Sequence, residues 1–486
     1  MKAKSTYLPV IALAAVTSVT NPASADIITD WNKITLDATK TGGLNSNLGS
    51  RIDAIEAVAV YDAVNSIRQF GTPYHYFAPP SSQASAEAAA AQAAHDVLVN
   101  YFPAQTAALD AKLSASLSGI ADGLEKTAGL AVGAASAADI IALRANDGSS
   151  PDSTYAGATG VGEWRPTPSA FAPGINSQWG SVKPFVLPSG AIFRPGPPPD
   201  VTSTNFTDAL AAVQAIGSVS NSVRTVEQTH IAQFYKQDAE LGANEAARLL
   251  SKGHGLSLEE NALLFVLVDI AITDARIAIW DAKYTYKLWR PVTALNANAD
   301  GSVTNNYANW LPFITTPAHP SYPSGHSATV NAGAEVLKDF FGNRVTLTLD
   351  TTTSGEPSRT VQSLSQFESE NGLSRIYGGI HYSFDNLEGQ AVGSKVAAYV
   401  LANGPHLVTS TDAAPPQVSI DLYPGISLSG TIGHPYRIDY ATSLAPTNWI
   451  ALQFVTLPTS SRYLVFDANA PRTTNRFYRA VELSNP

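Results

Sequence analysis

The chain has no cysteine in its 486 residues, so no disulfide staples it and no thiolate can ligate a metal. Methionine is almost as scarce. The initiator is the only one, which leaves the rest of the chain without easily oxidised sulfur and suits work with peroxide. Charged residues make up 14% of the chain and the formal net charge is −10. That balance argues against nucleic acid as a partner, because a phosphate backbone calls for a basic face. Long unbroken apolar runs are also missing beyond the N-terminus. The best stretch, residues 261–280, is interrupted by Asp269, Asp274 and Arg276, so no spanning membrane segment is expected.

At 44% hydrophobic residues the composition is that of a globular protein. Residues 1–25 have the form of an export signal: Lys2 and Lys4, an apolar middle over residues 7–19, then Ala23-Ser24-Ala25. The apolar middle falls short of the roughly 20 residues a spanning helix needs. An exported protein, periplasmic or secreted, is expected.

The texture of the chain then changes three times. Residues 26 to about 150 read as helical: residues 52–67 repeat near a period of 3.6, and the alanine-rich stretch 84–101 is a core helix. From 148 to 200 a run of prolines forbids long helices, yet Trp164, Phe171, Trp179, Phe185 and Phe193 lie between them. That mixture reads as an ordered, surface-hugging connection. Helical patterns resume at Phe206 and continue to about residue 402. Residues 404–417 read as a linker, and the remainder, 418–486, as a small β-sandwich module. Its expected strands are 418–422, 436–440, 449–455, 463–466 and 477–481. The module shows no catalytic grouping, and its expected role is attachment to a surface or a protein.

Three motifs within 283–385 carry chemistry. Ser257 and Glu260 form a capping box that opens a long helix expected to run to about Trp289. On such a helix Lys283 and Arg290 point the same way, and Pro291 ends it. Asp269 and Arg276 continue the stripe, so part of it reads as salt-bridged structure; Lys287 is the weaker anion contact. Alone, such a pair is an ordinary solvated face. Pro323-Ser324-Gly325-His326 precedes an apolar-periodic helix closed by Gly342. Its start offers unpaired amides, a close backbone approach at Gly325 and a hydroxyl at Ser324, although Ser324 could simply cap the helix. His326 suits proton transfer. Ser374-Arg375 comes six residues before His381, and Asp385 follows four residues later, opening another capping box with Glu388. Asp385 either caps only, or also holds the His381 ring in one tautomer. Charge-assisted donors of this kind suit a tetrahedral oxyanion.

The ordered set Lys-x6-Arg-Pro, Pro-Ser-Gly-His and Ser-Arg-x5-His resembles the vanadium-dependent haloperoxidases. That family shares its site with the type-2 phosphatidic-acid phosphatases and the bacterial class A acid phosphatases. The resemblance implies a mainly α fold, a helical-bundle core over 26–403, with the β module outside it. It implies vanadate as cofactor, with phosphate competing for the same site. Lys283, Arg290 and Arg375 would hold the equatorial oxygens, completed by Ser324 and the Gly325 amide. His381 would be the axial vanadium ligand, His326 the acid/base, and Lys283 would polarise the peroxide. Hydrogen peroxide and a halide would be the substrates, with an organic halogen acceptor as a further partner.

Two positions bear on the halide. His319 stands seven residues before His326, where bromoperoxidases of the family carry histidine and chloroperoxidases an aromatic. Trp280 matches a tryptophan that the chloroperoxidases place beside the site. The two disagree, and bromide or iodide is favoured over chloride. One alternative is a soluble, exported phosphatase in which His381 forms a phosphohistidine and His326 protonates the leaving alcohol. Another is a non-catalytic binding protein led by the β module.

Overall fold

The computed structural model describes residues 26–78, 83–408, 425–431, 434–443, 448–456, 463–467, 470 and 476–483. The expected signal, residues 1–25, and the expected strand 418–422 lie outside them. The chain divides into two compact units, Met1–Val408 and Thr409–Pro486.

The first unit is helical. Its first half comprises α1 (Ile27–Thr41), α2 (Ser46–Arg68), α3 (Ala86–Tyr101), α4 (Thr106–Leu117) and α5 (Leu124–Arg144). Of the described helices, α5 is long and apolar enough to cross a membrane by length and composition. This stretch went unnoticed in the sequence, where alanine and glycine make it mildly apolar between its charged residues; by itself it does not show a spanning segment. Those small residues also let it lie close on α3, where a methyl at Gly129 or Gly133 would strike the Ser85 or Ala89 carbonyl.

Residues 145–203 form an ordered layer rather than a loose strap. Trp164 and Trp179 are completely buried, and Asp274 accepts three consecutive amides, from Phe185, Val186 and Leu187, at 2.7–2.9 Å. One buried carboxylate thus satisfies backbone donors that the prolines prevent from pairing in a helix.

The second half comprises α6 (Thr204–Ile216), α7 (Val226–Phe234), α8 (Ala239–His254), α9 (Leu258–Tyr286), α10 (Pro291–Ala294), α11 (Gly325–Phe341), α12 (Leu364–Tyr377) and α13 (Ser383–Asn403). A short hairpin, β1 (Leu347–Leu349) with β2 (Arg359–Val361), interrupts the helices between α11 and α12. The central member is α9, buried on nearly every side by α2, α8, α11 and α13. A helix apolar all round belongs in such a position. Its capping box is present, with Glu260 N donating to Ser257 Oγ at 3.2 Å and Ser257 N to Glu260 Oε2 at 2.8 Å.

The far end of α9 differs from expectation. The helix stops at Tyr286, where Lys287 turns left-handed (φ 51°), not at Trp289. Lys287 points away from the motifs, its ammonium over the Tyr155 ring at 5.1 Å. Arg290 is consequently off the helix: it is the N-cap of α10, with Pro291 in the first turn. Gly404 to Val408 were expected to begin the linker. They are tied down instead, with Leu407 bridging Gly71 and the Val408 amide donating to Phe70 O at 3.0 Å.

The second unit contains β3 (Gly425–Leu428) paired with β6 (Tyr463–Phe466), and a sheet in the order β5 (Ile450–Thr456), β4 (Pro435–Ala441), β7 (Phe477–Glu482). Leu428, Tyr436, Ile438, Val455 and Val465 from both sheets share one small core, which makes the unit a sandwich. Strand β3 was not expected, since its glycine and serine hide the alternation.

Candidate anion-binding active site

The three motifs converge. Lys283 lies in the last turn of α9 and is fully buried. Its ammonium donates to the carbonyls of Pro320 and Ser321, both at 2.8 Å. Arg290 is also fully buried. Its Nε donates to His319 O at 2.9 Å, its Nη1 to Ile380 O at 2.7 Å and His381 Nε2 at 3.0 Å, and its Nη2 to His319 Nδ1 at 3.0 Å. Arg375, in the last turn of α12, donates from Nη1 to Tyr235 O at 2.9 Å, while its buried Nε has no partner. The pair Lys283/Arg290 was expected to share a helix face. Both are buried in the same interior because the left-handed Lys287 ends the helix and the residues after it carry Arg290 back towards Lys283. Their face is interior, and Arg276 on the same helix pairs with Glu240 rather than with Asp269.

Ser324 is the N-cap of α11. Its Oγ accepts from the Ser327 amide at 3.3 Å and from the Ser327 hydroxyl at 2.8 Å. Capping uses its lone pairs and leaves its own proton to donate. Gly325 opens the helix, so its amide is one of the four unpaired N–H groups at that end. A methyl there would stand 3.4 Å from the Trp280 ring, filling the cradle above the amide.

His381 is held from both sides. Its Nδ1 lies 2.7 Å from Asp385 Oδ2, and its Nε2 is 3.0 Å from Arg290 Nη1. A guanidinium can only donate, so Nε2 carries the lone pair and Nδ1 the proton. Asp385 is not the N-cap that its spacing from Glu388 suggested. Helix α13 starts two residues earlier, Tyr382 is the N-cap, and Asp385 in the first turn reaches back to the Tyr382 amide at 3.2 Å. Ser321 also donates to Asp385 Oδ2, at 2.5 Å. His326 directs Nε2 at Gln237 O, 3.0 Å away, which leaves Nδ1 to exchange a proton with a bound group. His319 and Trp280 contact each other, ring centroids 4.9 Å apart, so the two halide positions form one wall. His319 Nδ1 lies between Arg290 Nη2 at 3.0 Å and Pro320 O at 3.2 Å; since the guanidinium can only donate, the shorter contact makes Nδ1 the acceptor and puts the proton on Nε2.

A cavity of about 340 Å³ opens onto this group, lined by Trp280, His319, Gly325, His326, Arg375 and His381. Burial first, then the neighbouring Arg290 and Lys283, push His381 well below the ordinary imidazole range. Burial and then Lys283 and Arg290 do the same to His319, and burial and then Arg375 to His326. Lys283 is driven well down by burial and then Arg290, with Asp385 opposing. Arg375 falls to about 9 by burial and then Arg290, and Arg290 to about 10 by burial against the pull of Asp385. Three buried cations under mutual pressure, an unpartnered guanidinium N–H and a helix start fit a compact oxyanion, whose charge would relieve every one of these shifts. His381, neutral and with its Nε2 lone pair now accepting from Arg290, is the residue that would ligate a metal oxyanion there.

Ser321, Tyr235 and Gln237 went unnoticed in the sequence. Ser321 stood inside the His319–His326 stretch and could have been flagged as a buried hydroxyl. Tyr235 and Gln237 act through carbonyls, which any residue supplies.

The helical bundle and its buried cluster of cations and histidines can be set beside known proteins. Residues 263–409 match the family model described as the VCPO second helical-bundle domain. The vanadium chloroperoxidase of Curvularia inaequalis is 27% identical over 202 residues, taking in 32% of this chain and 31% of the relative. The match thus spans about a third of that relative's length. Among solved structures, a bacterial vanadium-dependent iodoperoxidase superposes with a TM-score of 0.70 at 23% identity, covering 81% of this chain and 100% of the other. A bacterial vanadium-dependent chloroperoxidase in its holo form gives 0.61 at 16% identity, covering 74% and 92%. Residues 263–409 thus match this family's second helical-bundle domain, and the first unit shares the fold of the vanadium-dependent haloperoxidases.

Proposed function

We propose that the protein is an exported, vanadate-dependent haloperoxidase that oxidises bromide or iodide, in preference to chloride, with hydrogen peroxide to the hypohalous acid. One observation carries the reading: His381 and Arg375 line one cavity, with the buried Arg290 guanidinium on His381 Nε2 at 3.0 Å and the buried Lys283 ammonium beside them. Lys283, Arg290, Arg375, the Ser324 hydroxyl and the Gly325 amide would hold the oxyanion, and His381 would ligate it. Bound vanadate supplies a Lewis acid that activates peroxide without changing oxidation state. The chain's own contributions are to orient His381 through Asp385, to move a proton at His326 Nδ1, and to present the His319–Trp280 wall to the halide. A histidine there offers a donor N–H to a large, polarisable anion, which supports bromide or iodide. The relatives' names, one a chloroperoxidase and one an iodoperoxidase, support the reaction class and leave the halide to be measured.

The test is halide oxidation by the purified protein with and without added vanadate. Vanadate-dependent oxidation of bromide or iodide is expected, with phosphate inhibiting. His381→Ala is expected to abolish turnover. Absence of oxidation together with cleavage of a phosphate ester would replace this reading with the phosphohistidine one, in which His381 attacks phosphorus.

A further inference from the structure

The three-stranded sheet of the second unit has a face turned away from its own sandwich core. Strand register puts Arg437, Asp439 and Ala441 of β4 on one side, opposite Val481, Arg479 and Phe477 of β7, with Phe454 of β5 beside Arg437. The other side carries Tyr436 and Ile438 into the sandwich core. An outward face of a small sandwich is ordinarily polar. This one carries exposed rings instead: Phe454 is 64% exposed and Phe477 36%.

At its centre is a carboxylate only 1% exposed, covered by two guanidiniums. Arg437 donates to Asp439 from Nε at 2.7 Å and Nη2 at 3.2 Å, and Arg479 from Nε at 2.9 Å. Asp439 therefore fixes both forks through the Nε side and leaves the Nη1 hydrogens of each for another acceptor. Arg479 also lies over the Trp449 ring at 4.4 Å. Two cations on one anion leave a local charge of +1 within a chain of net charge −10. Holding arginines splayed over a shared aspartate costs side-chain entropy in advance, as preorganised recognition requires.

We propose that this face binds an anionic polysaccharide, its sulfate or carboxylate groups on Arg437 and Arg479 and its sugar rings against Trp449 and Phe454. The charge favours an anion. Phe454 stands on β5 and Trp449 immediately before it, so the rings are carried on or next to the sheet and not on long loops, which suits stacked pyranoses better than insertion into a bilayer. Arg437 and Arg479 are diagonal neighbours, their backbones roughly 7–8 Å apart, and their forks meet on Asp439, so successive charges along a polymer can reach both.

The full-length protein is tested for binding to heparin, to polygalacturonate, to uncharged dextran and to phosphatidylserine-containing vesicles. Binding to heparin or polygalacturonate is expected, weakening with salt, and dextran is expected not to bind; which of the two anionic polymers binds tells sulfate from carboxylate. Arg479→Ala and Phe454→Ala should each lower affinity about tenfold or more. Phe454 is exposed enough for its loss to leave the fold intact, so it serves if Arg479→Ala unfolds the unit. Both variants should retain wild-type vanadate-dependent turnover, which keeps this outcome separate from the enzymatic one. Equal heparin binding by the variants, no binding by the wild type, or vesicle binding without glycan binding would each overturn the proposal.

Discussion

Single side chains in the pocket are defined less by what they are than by what holds them. Asp385 is the clearest case. Burial raises its carboxyl to about 6, against the Ser321 hydroxyl, the Lys283 ammonium and the Tyr382 amide, which all favour the charged form. The charged carboxylate is the stronger acceptor for the His381 Nδ1 proton and so keeps the lone pair on Nε2, where Arg290 Nη1 now donates. Ser321→Ala removes the 2.5 Å donor, so the carboxyl should titrate higher still. Anion affinity should then fall by about tenfold or more at pH 6, a loss of roughly 1.5–3 kcal/mol for a hydrogen bond to a charged group. The sign is fixed: as pH rises and the carboxylate re-forms, the variant should approach the wild type. Calorimetric titration with vanadate between pH 5.5 and 8 reads this out. A deficit constant across that range would mean that Ser321 only packs.

Helix α13 sets the height of the anion cradle above its own axis. Gly389 faces the Ser324 carbonyl, which a methyl would meet at 2.6 Å, and Gly393 faces the Ala328 carbonyl at 2.5 Å. Gly389→Ala must push α13 off the turn that presents Ser324, Gly325 and His326, whereas Gly393→Ala acts one turn further from it. Both should cost roughly 1–3 kcal/mol of stability through overpacking. Vanadate affinity should drop markedly only for Gly389→Ala. Paired melting and binding measurements test this, and equal affinity losses in the two variants would remove the local argument. Elements were legible where local chemistry is self-sufficient. Ser257 and Glu260 announced the start of α9, and period-two alternation announced β4 and β7. The end of α9 was misread because Pro291 is a visible stop, while the left-handed turn at Lys287, a residue with no preference for it, is not. The start of α13 was misplaced because Tyr382 bears none of the usual capping groups. The site residues were legible because their types are chemically demanding. Their supports were not, since the carbonyls of Tyr235, Gln237 and Pro320 have no signature in a sequence.

Across the whole first unit, acidic groups are buried at a density that ties stability to pH. Asp53 and Glu56 on α2, Glu240 on α8 and Asp269 on α9 form one acidic cluster, with Arg276 near Asp53 and Glu240 and Arg248 near Asp269, and none of the four acids is more than 5% exposed. Burial raises all four, Glu240 and Asp269 to about 7. Asp53 is the extreme member: neither of its oxygens has a partner, and burial followed by Asp269, Glu240 and Glu56 holds it well above its ordinary value, with Arg276 opposing. A raised carboxyl means that the folded state keeps a proton which the unfolded chain has released. Its stabilising share is therefore complete below about pH 4 and is lost as pH climbs, by about 1.4 kcal/mol per pH unit for each proton retained. The buried histidines slope the other way below about pH 6.5, because they are pushed down. Asp53→Asn keeps the shape and removes the proton, and in the difference between variant and wild type the histidines cancel. The variant should gain on the wild type steadily from pH 5 to pH 7, with its amide donating to the surrounding carboxylates, and melt higher by several degrees at the alkaline end. Urea unfolding at three pH values measures the slope. A difference that stays flat with pH would show that Asp53 enters the fold already ionised, with Arg276 as its effective partner.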